Sequence, residues 1–443
     1  MLSGLAEYFD KSEIEKLARQ SGFTQRKSKL KGLEFLNTLM FVHQQGKDLS
    51  LLDICGDLYD QFGIQITKQS LHDRFTGRAV DFMKAVLSRL LLHQFKTIDK
   101  EKNKTLSSFG RVRIKDSTRF KLPASYSKIY QGHGGNPGTG ESLISIQYEY
   151  DLLSGNAMDL RLTTGRRNDQ TDSKENTHDI AKDDLFIRDL GYVTLEYLSR
   201  IIEAGAYFLN RLNPKTKVYY ADDPEKELDF AECYKKVKKY NLAYLEYDVV
   251  MGMDKIPGRL TLYPADKKSY EKRLAKTQRY AKSKGHKVSE AYKTRIKFVG
   301  YVTNVSKDKI PGSKIKEIYG LRWQIELTFK IWKSQAKVDQ IKEMKIHRFE
   351  AQLITKLIWL LIHKQILNYL TEWVNYSCFG ETCSIWKYYK HAYRINYMVR
   401  TITFKPENLG PLLLKLMNIA CRHFLLETKK GKQSHYEALM SLN

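Results

Sequence analysis

Residues 314 to 335 read Lys-Ile-Lys-Glu-Ile-Tyr-Gly-Leu-Arg-Trp-Gln-Ile-Glu-Leu-Thr-Phe-Lys-Ile-Trp-Lys-Ser-Gln. Drawn as a helix at about 100° per residue, Tyr319, Arg322, Glu326 and Lys333 fall within an arc of roughly 60°, with Lys330 beside them. Ile318, Leu321, Ile325, Phe329 and Trp332 form a separate apolar face at helical spacing. The polar stripe holds a phenol, three cations and one carboxylate. That set suits a place where a metal-held anion, such as a phosphate, must also be gripped. A plain surface helix with Arg322–Glu326 and Glu326–Lys330 pairs would give the same pattern. The stripe therefore needs support from elsewhere in the chain.

Two more acids supply it. Asp116 follows Gly110-Arg-Val-Arg-Ile-Lys115, and Asp189 follows Leu185-Phe-Ile-Arg188. Each closes a predicted strand, and strand ends lie at the rim of a sheet. If the two strands are neighbours and the Glu326 helix packs over them, three carboxylates converge. Bare carboxylates repel, so such a cluster calls for a cation. Oxygen-only ligands select a hard ion, Mg²⁺ or Mn²⁺. Two such ions about 4 Å apart can activate water on one side of a phosphodiester and stabilise the leaving oxygen on the other. Either aspartate alone is more simply read as ending a strand or capping a turn.

Composition points to the same class of partner. Lys plus Arg number 75 against 50 Asp plus Glu, a net charge of +25. Such an excess favours a polyanion, nucleic acid ahead of an anionic membrane surface. Aromatics are mixed with basic residues, as in Tyr234-Lys-Lys-Val-Lys-Lys-Tyr240, which suits backbone contact with base stacking. The five cysteines show no metal-ligand spacing, so a zinc finger and a disulfide scaffold are both disfavoured. Neither a secretory signal nor an uncharged stretch long enough to span a membrane is apparent. The expectation is a cytoplasmic protein.

The elements that must position these residues follow from periodicity. Residues 1 to 105 read as helical, over Glu13–Gln20, Lys29–Gln44, Leu49–Gln61 and Lys68–Phe95. Ser50 and Thr67 are candidate N-caps and Gly63 a candidate stop, giving helix, turn, helix. The second helix could offer Lys68, Gln69, His72 and Arg74 to a DNA groove. An ordinary helical hairpin fits equally well. From 106 the pattern turns to strands: one ending at Asp116, then Ser142–Tyr150 and Ala157–Thr163 around a Ser154-Gly155-Asn156 turn. A short polar helix over Asp172–Lys182, a strand ending at Asp189, a Thr194-capped helix and a strand over Ala206–Asn210 follow. The order β-β-β-α-β-α-β predicts a mixed sheet with helices packed on it. Residues 213–298 read as an inserted module, with strands over Tyr244–Met251 and Gly258–Tyr263 and a basic helix over Lys268–Lys284. A strand over Phe298–Asn304 precedes the 314–335 helix. Residues 346–443 are helical and basic, with Phe349–Val374 the longest apolar-periodic segment.

Taken together, the chain resembles the DDE transposases of bacterial insertion sequences, in the group marked by a Tyr-Arg-Glu-Lys signature. Tyr319, Arg322, Glu326 and Lys333 match that signature's spacing in full. Lys115-Asp-Ser-Thr118 resembles the family's first acidic block. Asp189-Leu-Gly-Tyr192 with Gly205-Ala-Tyr-Phe-Leu-Asn-Arg211 resembles its second. The resemblance spans roughly residues 105 to 375.

The resemblance implies an α/β, ribonuclease-H-like mixed sheet with a mostly β insertion domain, flanked by N- and C-terminal α-helical domains. The boundaries so implied are 1–105 for a DNA-binding domain, 106–212 and 299–345 for the catalytic domain, 213–298 for the insertion and 346–443 for a C-terminal domain serving DNA binding or dimerisation. Asp116, Asp189 and Glu326 would hold two Mg²⁺ ions, with Mn²⁺ able to substitute. Tyr319, Arg322, Lys330 and Lys333 would contact DNA. Double-stranded DNA, both inverted-repeat ends and target, would be the partner of a homodimer in a nucleoid-associated, cytoplasmic setting, and no membrane is implied. The reaction would be cut-and-paste phosphoryl transfer. A nuclease of the same fold that cuts without joining, and a non-enzymatic helix-turn-helix protein, remain the alternative readings. A membrane-surface protein is a third.

Overall fold

In a computed structural model the described residues are 7–26, 28–42, 50–92, 105–134, 140–175, 179–378, 381–404 and 409–427. The chain opens with α1 (Lys11–Gln20), α2 (Gly32–Phe41), α3 (Leu51–Phe62), α4 (Lys68–Arg74) and α5 (Gly77–Leu92). Then come β1 (Arg111–Leu122), β2 (Ser142–Asp151), β3 (Ala157–Thr164), α6 (Asp169–Glu175), β4 (Asp184–Arg188), α7 (Leu195–Glu203) and β5 (Tyr207–Arg211). The next stretch holds β6 (Val218–Tyr220), α8 (Phe230–Tyr240), β7 (Leu245–Met251), β8 (Ile256–Pro264), α9 (Lys267–Ser283), α10 (Glu290–Arg295) and β9 (Phe298–Thr303). Last are α11 (Ile315–Gly320), α12 (Trp323–Ser334), α13 (Ile346–Ser377), α14 (Ile385–His391), α15 (Asn396–Phe404) and α16 (Leu409–Ile419).

The strands form one nine-stranded sheet in the order β3-β2-β1-β4-β5-β9-β8-β7-β6. β1, β4 and β5 run parallel, while β2–β3 and β5–β9–β8–β7–β6 pair antiparallel. The first five strands in chain order occupy positions 3-2-1-4-5, the ribonuclease-H-like arrangement that the sequence implies. By compactness the chain divides into two units. Among the described residues, one comprises 7–92, 117–166 and 325–427; the other comprises 105–116 and 167–324.

In the first unit α13 packs against α5 and α2, so helices from both ends of the sequence share one core. The 32 residues of α13 carry apolar side chains around most of their circumference, from Phe349 and Leu353 to Leu370 and Val374, as a fully enclosed helix must. Polar groups on it are matched. Trp359 Nε1 donates to Asn396 Oδ1 at 2.8 Å, and the His363 ring lies 2.8 Å from the Tyr388 hydroxyl and 3.2 Å from Asn396 Oδ1. Arg400 of α15 grips Asp57 of α3 through two bonds of 2.7 Å. No helix among the described residues is long and apolar enough to cross a membrane.

The N-terminal caps behave as their chemistry demands. Ser50 and Asp53 form a reciprocal capping box, and Thr67 accepts from Ser70 N, interactions each contributing about 1 kcal/mol. Gly63 ends α3 in the left-handed region at φ 65°, where a side chain would be strained. The single helix expected over Lys68–Phe95 is instead two, because the chain breaks at Phe75, where ψ is 81°. That break lets the Phe75 ring bury 5.4 Å from Phe35. Residues 93–95 lie outside the described residues. The polar helix expected from Asp172 begins earlier, at Asp169, and is described to Glu175.

The second unit is built on β4, β5, β9, β8, β7 and β6, with Phe186, Ile201, Phe208, Phe230, Val249 and Leu260 among its buried core. Two ion pairs discipline its strands. Arg111 meets Asp184 through bonds of 2.7 and 2.5 Å across the first rung of β1–β4. Arg259 is held by Glu246 and by the Ile310 carbonyl, the latter at 2.7 Å. The insertion differs from the mostly β expectation. It holds three helices, α8, α9 and α10, as well as three strands, and those strands extend the sheet from β9. The basic, lysine-rich segments are helical because Lys and Arg lose little rotamer freedom in a helix.

His363 is fully buried, and that burial pushes its imidazole down to about 3 from an ordinary 6.5. Between those values the unfolded chain binds a proton that the folded one refuses, so stability falls as pH drops below about 6.5, by about 1.4 kcal/mol per pH unit. Thermal melts from pH 7 to 4 should show a shallower acid loss in His363→Gln than in the wild type.

Candidate active site

The first unit of chemistry is set by strand register. β1 and β4 pair in parallel from Arg111↔Asp184 to Lys115↔Arg188. Asp116 and Asp189 are each the next residue, about 4.8 Å apart across the ladder. β4 stops at Arg188 as expected, but β1 runs on to Leu122, so Asp116 lies within its strand and does not close it. Side chains alternate along a strand, so the two aspartates face away from Lys115 and Arg188, which are both buried. Arg188 spends its charge on aromatic faces, with its guanidinium 4.7 Å from the Tyr197 ring centroid and 5.3 Å from that of Phe186. Both aspartates are half-buried.

Two groups of the predicted stripe join them within the second unit. Arg322 Nη1 donates to Asp116 Oδ2 at 3.2 Å. Its guanidinium carbon lies 5.9 Å from the Tyr319 ring centroid. Tyr319 sits on α11, which packs on β5. Its ring lies 5.1 Å from that of Tyr301 on β9. Burial pushes the phenol up to about 12, the Asp189 carboxylate adds to the shift, and the Arg322 and Arg211 guanidiniums oppose it. The hydroxyl is therefore a donor across the physiological range. It is also buried and has no hydrogen-bond partner among the described residues. A buried hydroxyl without an acceptor is costly, and here it stands near two guanidiniums. A phosphate oxygen is the ligand that would complete it.

A further cation near Tyr319 is Arg211. It closes β5 and pairs in register with Tyr301, so the rule that singled out Asp116 and Asp189, a charged residue ending a strand, would also have found it.

The single helix expected over 314–335 is two. Bonds from Leu321 N to Ile318 O and from Arg322 N to Tyr319 O, both 3.1 Å, tighten the chain after Gly320, and α12 starts afresh at Trp323. Glycine is a weak helix former, which favours the break there. The apolar face is as read: Ile318, Leu321, Ile325, Phe329 and Trp332 are all buried. Glu326 and Lys333 belong to the first unit. Glu326 is half-buried on the first turn of α12, one helical turn along the chain from Arg322. Lys333 donates to the Arg119 carbonyl at 2.9 Å, and Lys330 is exposed. Of the α4 residues, Lys68 and Gln69 are exposed and His72 is half-buried. Arg74 turns inward, its guanidinium 4.4 Å from the Phe23 ring centroid.

Among the described residues, no three Asp, Glu, His or Cys side chains are grouped closely enough to hold a metal ion. Asp116, Asp189 and Glu326 offer oxygens only, the donor type that suits a hard ion, and the Arg322 guanidinium stands against Asp116.

A family description, the transposase DDE domain, matches residues 107–362. The chain belongs to the DDE transposases of insertion sequences. It is 30% identical over 449 residues to the transposase for insertion sequence element IS231B of Bacillus thuringiensis subsp. berliner, covering 97% of this chain and 91% of that protein. It is 32% identical over 373 residues to the transposase of IS231F from Bacillus thuringiensis subsp. israelensis, covering 80% and 77%. It is also 32% identical over 388 residues to that of IS1151 from Clostridium perfringens, covering 82% and 79%. DNA transposition is thus the business of this transposase's family, and the matched span contains Asp116, Asp189 and the whole Tyr-Arg-Glu-Lys stretch.

Tyr319→Phe removes a buried hydroxyl that has no partner. Its melting temperature should equal or exceed that of the wild type in the absence of DNA, while affinity for the element's ends falls by about tenfold, the worth of one hydrogen bond to a charged group. Calorimetry and fluorescence anisotropy read the two effects separately.

Proposed function

We propose that this transposase binds the inverted-repeat ends of its insertion sequence as a homodimer, cleaves them, and joins them to target DNA by in-line phosphoryl transfer at one site. Asp116, Asp189 and Glu326 would hold two Mg²⁺ ions, which Mn²⁺ could replace. Such ions supply activation of the attacking oxygen and stabilisation of the leaving one. The observation that carries the reading is the β1–β4 register, which leaves Asp116, where β1 runs past the end of β4, beside Asp189. Support for Glu326 as the third acid comes from its place one turn after Arg322, whose guanidinium is at Asp116.

The remaining roles follow from charge and donors. Tyr319 and Arg322 grip a phosphate of the transposon end, with Lys333 and the exposed Lys330 extending that grip along α12. Arg211 adds a second guanidinium near Tyr319. Lys68, Gln69 and His72 on α4 are the groups available to a groove; Arg74 holds α4 against the bundle. Arg322 has two competing claims, Asp116 without DNA and a phosphate with it. Moving from one to the other uncovers the carboxylate as the substrate arrives.

Asp116→Asn and Glu326→Gln should each abolish cleavage of end DNA while end binding persists. Retained cleavage in either variant would end the metal-site reading. Pre-cleaved ends incubated with Mg²⁺ and a plasmid test joining, and cutting without joined product would favour a nuclease. Arg322→Gln should lower the log–log salt slope of end binding by about 0.9. The same variant should bind Mn²⁺ more tightly than the wild type in the absence of DNA, as read by titration calorimetry, because a cation next to Asp116 has been removed.

A further inference from the structure

One element is left without a task. Helix α9, Lys267–Ser283, buries none of its residues. Wound at about 100° per residue, Lys267, Lys268, Lys272, Lys276, Arg279 and Lys282 occupy one half of its circumference, and all six are exposed. The half-buried residues Tyr270, Arg273, Leu274, Thr277 and Ala281 lie on the other half. Arg273 fastens that inner side by donating to the Phe298 carbonyl of β9 at 2.8 Å. Glu271 is the only carboxylate within the helix, and the N-cap Asp266 is engaged with Ser269 N. Among the described residues none of the six cations is in an ion pair.

Such a helix is not explained by folding. Like charges at successive turns repel by a few tenths of a kcal/mol per pair, and no buried face offsets them. The cost is recovered when a polyanion lies along the outer half. The six cations span about 22 Å of helix axis at 1.5 Å per residue, a length over which duplex DNA carries roughly a dozen phosphates. Five of the six are lysines, whose ammonium is a point charge and makes no bidentate base contact.

We infer that α9 is a sequence-independent grip on the backbone of duplex DNA, separate from the residues that hold the transposon end at Asp116. It binds target or flanking duplex as readily as the element's own ends. This rests on DNA being the partner proposed above, but not on the chemistry at the aspartates.

The test uses the full chain with Lys272, Lys276 and Arg279 all changed to Gln. The probes are a random-sequence duplex, a duplex bearing the element's end, and vesicles containing phosphatidylserine. On both duplexes the log–log salt slope should fall by about 2 to 3, three contacts at about 0.9 each. The ratio of end to random affinity should not change, and the melting temperature should not fall, since all three side chains are in solvent and their mutual repulsion is removed. An unchanged slope, an altered ratio, or a loss confined to the vesicles would overturn the inference. Wild-type chain that shows the slope but never cleaves end DNA sinks the cleavage reading and leaves this one standing. Cleavage with a slope that the substitutions do not alter does the reverse.

Discussion

The bidentate pair between Arg111 and Asp184 fixes the register on which the site depends. It locks the first rung of the β1–β4 ladder, and four further rungs carry that alignment to Lys115↔Arg188. A slip of one residue would turn every side chain of β1 to the other face and take Asp116 away from Asp189. Asp184 is almost completely buried and Arg113 reaches it too, at 3.4 Å, so a slip that turned both guanidiniums away would leave an uncompensated charge costing about 3–5 kcal/mol. Register is therefore held by an interaction too costly to break, at the end of the ladder away from the chemistry.

That arrangement creates a second problem, two carboxylates side by side. Close acids raise one another's proton affinity unless a cation intervenes. Arg322 is the cation at hand, 3.2 Å from Asp116. The break after Gly320 matters here, since it gives Tyr319 and Arg322 positions that a continuous helix through 335 would not. Tyr319 rests on β5 by way of α11, and Arg322 sits at the junction just before α12 begins.

Much of this was legible in the sequence because it rests on local rules. Caps at Ser50, Thr67 and Thr194, the stop at Gly63 and the turn at Gly155 are conformational preferences of single residues, and the chain obeys each of them. The succession of strands along the chain followed from alternation. The adjacency of Asp116 and Asp189 did not, since nothing in a strand's composition names its neighbour; register had to be seen. The two broken helices were missed for a related reason. Hydrophobic spacing continues across Phe75 and across Leu321, and only tertiary burial of Phe75, or the weak helix preference of Gly320, interrupts it. A mostly β insertion is what the resemblance implies, whereas the basic stretch over Lys268–Lys284 does give α9; α8 and α10 are the helices that neither names.

The Tyr319 hydroxyl has a consequence for how such a gene ages. A phenol enclosed in protein with nothing to donate to weakens the free fold, and phenylalanine would fill the same space without that penalty. Selection for a durable polypeptide alone would thus erase the oxygen, and only selection for mobility opposes it. In a copy that has fallen silent but is still translated, nothing in the free fold would hold the hydroxyl at this position.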